Sequence, residues 1–175
     1  SQVRKKINKI KKKIKQFNLM KYNDVISNLS YELTRDQINT LSDINKDIAS
    51  EYKMFRLIQG DVGSGKTIVS LLSALNVVEA GYQVAFMAPT EILANQHYKL
   101  AKKILGKYLT IELITAQTNS KLKKKIQKTI NNKKIDLVIG THSLFQKKMN
   151  FNNLGLIIID EQHKFGVKQR KALSD

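Results

Sequence analysis

Cysteine is absent from this sequence, which excludes disulfides and thiolate-ligated metal sites. No apolar run approaches the ~20 residues that a membrane-spanning helix needs. The basic amino terminus is not followed by the apolar stretch of a secretory signal. The expectation is a soluble cytoplasmic protein with no membrane partner. Acids are scarce, 14 against 31 lysines and arginines, for a formal charge of +17. Arginine is scarce as well, confined to Arg4, Arg35, Arg56 and Arg170. Such a balance suits a polyanion such as nucleic acid. Lysine spread over every solvated face of a chain also rich in Ile and Asn is equally what an AT-rich genome writes. What is present in ordinary measure, 175 residues that are 42% hydrophobic, suits one compact domain with a sizeable core.

Residues 1–21 carry nine basic side chains before the first acid, Asp24. Val3, Ile7, Ile10, Ile14 and Phe17 recur at spacings of 4, 3, 4 and 3, which predicts a helix with one apolar face. Residues 1–30 therefore read as a basic helical extension or linker, and 31–175 as the main domain. From Tyr31 the texture alternates. "TRDQINTLSDINKDIAS" reads as a helix with Thr34 as its N-cap. "MFRLIQ", "QVAFMA", "TIELIT", "IDLVIG" and "LGLIIID" read as strands, several apolar on both faces. Helices are expected over 66–80, 91–105 and 120–131. This alternation predicts an α/β fold, a mostly parallel sheet between layers of helices, with any ligand at the carboxyl ends of the strands.

"GDVGSGKT", Gly60 to Thr67, has the spacing of a phosphate-binding loop. An anionic phosphate needs several N–H groups converging on one point; Gly60, Gly63 and Gly65 let the loop, with Asp61 and Ser64, curl without a Cβ in the way. The following helix aims its positive end at the same anion. Lys66 reaches the β- and γ-phosphates in such loops, and the Thr67 hydroxyl ligates Mg²⁺. ATP and Mg²⁺ are the implied cofactors. A second group, "LGLIIIDEQH", delivers Asp160 and Glu161 at the end of an apolar strand. Asp160 is expected to hold Mg²⁺ and Glu161 to polarise the attacking water. With Lys66 these are the candidate catalytic residues. Gln37 admits two readings: a capping box with Thr34, or a bidentate contact with the N6 and N7 edge of adenine. His97, His142 and His163 are scattered without metal-ligand spacing, which argues against zinc.

The phosphate loop and "DEQH" together resemble a superfamily 2 helicase motor. "YELTRDQ", "QGDVGSGKT", "MAPTEILANQH", "GTHSLFQ" and "FNNLGLIIIDEQHKFGVKQR", in that order, are similar to the first, RecA-like motor lobe of the RecG branch-migration helicases, over roughly Tyr31 to Asp175. The transcription-repair coupling translocases are the nearest alternative. The resemblance implies a P-loop NTPase lobe and an ATP-dependent DNA helicase acting on forks and branched junctions in recombination and repair. It assigns Gln37 to adenine, Thr90 and Gln96 to the DNA backbone, and Thr141 and His142 to the block that follows DNA. Gln162 and His163 would couple nucleotide state to lobe movement, and Arg170 belongs to the same nucleic-acid and coupling group. Thr90 is also a good N-cap, and Gln96 is equally a solvated helix residue.

Departures from the pattern are few. Ser143 and Lys164 stand where the family usually has Ala and Arg. "ELITAQTNSK" lacks the family's Thr-Gly-Ser, which puts a DNA contact at Ala116 in doubt. The sequence extends 15 residues beyond Asp160, so the expectation is a truncated first lobe without the second lobe and its arginine finger, with negligible hydrolysis on its own. A non-catalytic nucleotide-binding module and a basic nucleic-acid-binding module are the other readings.

Overall fold

In the computed structural model, residues 4–11, 19–49, 52–59, 63–132, 134–142 and 149–160 are described, those at 4–11, 52–59 and 63–64 in backbone only. The described chain runs β1 (Arg4–Lys11), α1 (Leu19–Ser27), α2 (Arg35–Ile48), β2 (Tyr52–Gln59), α3 (Gly63–Glu79), β3 (Gln83–Ala88), α4 (Glu91–Leu105), β4 (Ile111–Ile114), α5 (Ser120–Asn131), β5 (Leu137–Thr141) and β6 (Leu154–Asp160). One six-stranded sheet has the order β1-β2-β6-β3-β5-β4. Every neighbouring pair from β2 to β4 is parallel, and β1 alone is antiparallel.

The order of travel decides which face each helix covers. From β2 to β3 and from β3 to β4 the chain moves one way across the sheet; from β4 to β5 it turns back. Parallel crossovers are right-handed, so reversing direction moves the connecting helix to the opposite face. Two separate cores agree. Leu71, Leu72 and Leu75 of α3 and Ala101 and Leu105 of α4 share a cluster with Val84, Phe86, Leu137, Ile139, Leu156 and Ile158. Ile126 and Ile130 of α5 pack instead with Ile114 and Val138, from the other side of the pleat. α3 is buried nearly all round, because Leu41, Ile44 and Ile48 of α2 and Val25 of α1 cover the side turned away from the strands.

The expected α/β sheet forms, and β3, α4, α5 and β6 have the boundaries read from the sequence. The amino-terminal extension is a correction. Residues 1–30 were expected to be helical, with a stripe from Val3 to Phe17; instead Arg4–Lys11 is a strand paired with β2, and only α1 is helical. A free sheet edge offers an unpaired row of N–H and C=O groups, and pairing there outweighs helical periodicity in a lysine-rich segment. The Ile7–Ile10 spacing of three fits no regular pleat, and the ladder shifts register between Lys6 and Asn8 and again between Asn8 and Lys11. Val3, Ile14 and Phe17 lie outside the described residues.

Gly155, the second residue of β6, is glycine because nothing larger fits: a Cβ there would lie 2.5 Å from the Cβ of Tyr82. The strand thereby starts flush against the turn that follows α3.

Candidate nucleotide-binding site

Parallel strands end on the same side, so their last residues form a row. Gln59 pairs with Asp160, Met87 with Ile159, and Ala88 with Thr141. The row therefore runs Gln59, Asp160, Ala88, Thr141 across the carboxyl edge. Gln59 is the last residue before the phosphate loop, which puts Asp160 level with the strand that feeds that loop.

On the other side of the loop, α3 starts at Gly63, three residues earlier than expected, so Gly63 to Thr67 form its first turns. The leading N–H groups of a helix find no partner within it, and the macrodipole adds positive potential. The first turn of α3 carries no acid, whereas α2 and α4 place Asp36 and Glu91 there. Lys66 is half-buried in this turn, and Thr67 is buried.

Gln37 realises its capping-box reading and reaches the loop as well. Thr34 Oγ1 accepts from the Gln37 N–H at 3.1 Å, and Gln37 Oε1 accepts from the Thr34 N–H at 2.9 Å. Gln37 Nε2 donates to the Gly65 carbonyl at 3.2 Å. A Cβ on Gly65 would sit 3.0 Å from that nitrogen, so glycine at this position serves the approach of α2 as well as the curl of the loop. Both ends of the amide are engaged, and a bidentate contact with adenine would exchange these bonds.

Asp160 is 1% exposed, and its Oδ2 lies 2.7 Å from His97 Nε2. A carboxylate only accepts, so His97 Nε2 carries the proton. The imidazole packs on Phe86, ring centroids 4.6 Å apart and planes at 30°. The spacing of His97 in the sequence bears only on metal ligation and does not foretell this contact. The signal lay in the stripe Ala94, His97, Ala101, Leu105, all buried on α4, since a polar ring on a buried helical face requires a partner.

Asp160 and Thr67 supply hard oxygen donors, which suit Mg²⁺: that ion takes one or two protein oxygens and otherwise keeps waters and substrate phosphates. No cluster of three or more His, Cys, Asp or Glu stands among the described residues, and Mg²⁺ bound in this way requires none.

Thr90 caps α4, its Oγ1 accepting from the Leu93 N–H at 3.2 Å, and Gln96 is exposed on the same helix. Thr141 is buried at the end of β5. Next to it, His142 is half-buried with no partner for Nε2 among the described residues. Ala116 is exposed, but its N–H donates to Glu91 Oε1 at 2.9 Å; the doubt over a contact there has a physical basis in that occupied donor. Gly60, Asp61, Glu161, Gln162, His163 and Arg170 lie outside the described residues, as do the side chain of Ser64 and positions 143 and 164.

Known proteins place this arrangement. The ATP-dependent DNA helicase RecG of Aquifex aeolicus (strain VF5) is 49% identical over 149 residues, 85% of this chain and 19% of that protein. RecG of Borreliella burgdorferi is 48% identical over 152 residues, 86% of this chain and 22% of its own length. The chain thus spans about a fifth of the length of these curated relatives. A solved structure of RecG bound to a three-way DNA junction superposes with a TM-score of 0.75 at 32% identity, over 86% of this chain and 24% of that one. The DEAD/DEAH box helicase family matches residues 34–175, and the chain belongs to it.

Proposed function

We propose that these residues are the ATP-binding lobe of a RecG-type ATP-dependent DNA helicase that works on forks and branched junctions in the cytoplasm. The observation that carries this reading is the pairing of Gln59 with Asp160. It sets the buried acid of "DEQH" beside the strand that opens into "GDVGSGKT". The named relatives are ATP-dependent DNA helicases, and one was solved on a three-way junction; both facts support carrying DNA to this chain as its partner.

The division of labour follows from charge. Backbone N–H groups at the start of α3 receive phosphate oxygens, and Lys66 brings a mobile cation to the same anion. Thr67 and Asp160 would hold Mg²⁺, which neutralises charge developing on the phosphates. Glu161 orients the attacking water. Gln37 ties α2 to the loop and is placed to exchange those bonds for adenine. Thr90, Gln96, Thr141, His142, Gln162, His163 and Arg170 form the DNA-facing and coupling set. An arginine supplied from outside the phosphate loop is worth about 10³–10⁵ in rate. These 175 residues by themselves are therefore expected to bind MgATP weakly and turn it over negligibly.

The test is a titration with a fluorescent ATP analogue and MgCl₂ against this chain and its Lys66→Ala variant. Saturable binding that the substitution weakens by about 10-fold or more, as loss of a charge-assisted phosphate contact implies, is the expected result. Equal binding by the two proteins would remove the phosphate-loop reading.

A further inference from the structure

The nucleotide reading gives no role to His97. Of the described histidines it is the one buried outright, 7% exposed, in a helical stripe that is otherwise apolar. Its ring hydrogen bond crosses 63 residues of chain, from α4 to the last residue of β6. Two features make that bond directional. The imidazole lies against Phe86, itself fully buried on β3, so the ring has little freedom to turn. The acceptor is Oδ2 of a carboxylate that is 1% exposed, where few waters compete for the bond. A donor fixed on one carboxylate oxygen fixes the plane of the carboxylate, and with it the direction in which the group presents itself to a cation.

We propose that His97 is a positioning residue for magnesium: its Nε2–H holds the Asp160 carboxylate in the orientation that meets a Mg²⁺–nucleotide complex on the phosphate loop. The proposal rests on the reading of Asp160 as a metal ligand. Groups that orient a metal's ligand typically change metal affinity by about 10–100-fold when removed. Without a donor at position 97, the carboxylate would lose the bond that sets its plane. A clamp that merely fastened α4 to the sheet would have no preference for the magnesium-bound form.

The experiment measures affinity for a fluorescent ADP analogue, once in EDTA and once in saturating MgCl₂, and takes the ratio as the magnesium-dependent gain. The proteins are this chain, His97→Leu, His97→Gln, Asp160→Asn and the double variant His97→Leu/Asp160→Asn. In His97→Leu the affinity in EDTA is expected to stay at the parent's value while the gain falls by about 10-fold or more. His97→Gln, whose amide Nε2 can reach the same oxygen, restores most of the gain. The double variant is no worse than Asp160→Asn alone, because the two side chains act as one unit.

A His97→Leu protein that keeps the full gain would overturn the proposal. So would one that loses affinity by the same factor with and without magnesium, since that is the signature of a clamp. If His97→Leu does not fold, as judged by its thermal transition, the comparison passes to His97→Gln and His97→Asn. The Asn amide is one methylene shorter, so equal gains in those two would overturn the proposal as well. If the parent shows no gain at all, the reading of Asp160 fails and the inference falls with it; a parental gain that survives His97→Leu removes the inference alone.

Discussion

Asp136, at the turn into β5, shows what burial does to a single charge in this molecule. Its Oδ2 accepts from the Thr110 N–H at 2.8 Å. Desolvation raises its pKa above the ordinary 3.8; the Thr110 hydrogen bond and the Lys21 charge pull it back only in part, and Glu79 pushes it up further. A raised folded-state value means that the folded chain holds the proton more tightly than the unfolded chain. The contribution of Asp136 to stability is therefore fully present below 3.8 and is lost as pH rises through the folded-state value. Asp136→Asn keeps an acceptor for Thr110 and removes the charge. Its urea midpoint is expected to exceed the parent's at neutral pH, with the difference closing as pH falls towards 3.8; a difference that widens on acidification would contradict this account.

At the scale of elements, much of the joinery passes through one side chain. Gln83, buried at the start of β3, donates from Nε2 to the carbonyls of Ile130 and Ile135 at 2.8 and 2.9 Å. Its Oε1 accepts from the N–H groups of Asn152 and Asn153 at 2.9 and 3.0 Å. One amide thus joins the end of α5, the approach to β5 and the turn into β6. Gln83→Leu would strip a partner from four main-chain groups at about 1–3 kcal/mol for each one left unmet in the interior. The expected loss is about 3 kcal/mol or more, read as a lowered urea midpoint with an unchanged slope. None of this was legible in the sequence, where Gln83 is merely the first polar letter of an apolar strand; its partners lie up to 70 residues away. The strands and helices after Tyr31 were legible, because apolar periodicity and caps such as Thr34 and Thr90 are local signals. β1 was not, since a strand that completes a sheet edge owes its state to β2 and not to its own pattern. In the candidate site, the motif positions of Lys66, Thr67 and Asp160 could be read directly. The hydrogen bond to His97 could not, because spacing along a helix identifies a buried polar ring without naming its partner.

For the whole molecule the open quantity is the charge. A net +17 engaged with phosphates releases counterions, and the logarithm of affinity for duplex DNA then falls by about 0.9 per phosphate contact for each logarithmic unit of salt. Anisotropy of a labelled three-way junction across a KCl series is expected to give a steep slope, equivalent to several contacts. A flat slope would assign the lysines to solvation alone and leave the DNA-facing set without support. Steady-state hydrolysis of MgATP by these residues, with or without the junction, is expected to remain at background.

The bond between His97 and Asp160 has a thermodynamic corollary. It joins the helix that Thr90 caps, and on which Gln96 is exposed, to the buried carboxylate beside the phosphate loop. A polyanion resting on α4 and a metal–nucleotide complex resting on Asp160 would then be coupled ligands. Linkage is reciprocal: whatever factor the first lends to the affinity of the second, the second returns to the first. Cutting the bond would remove this route of coupling even if each equilibrium kept its own strength.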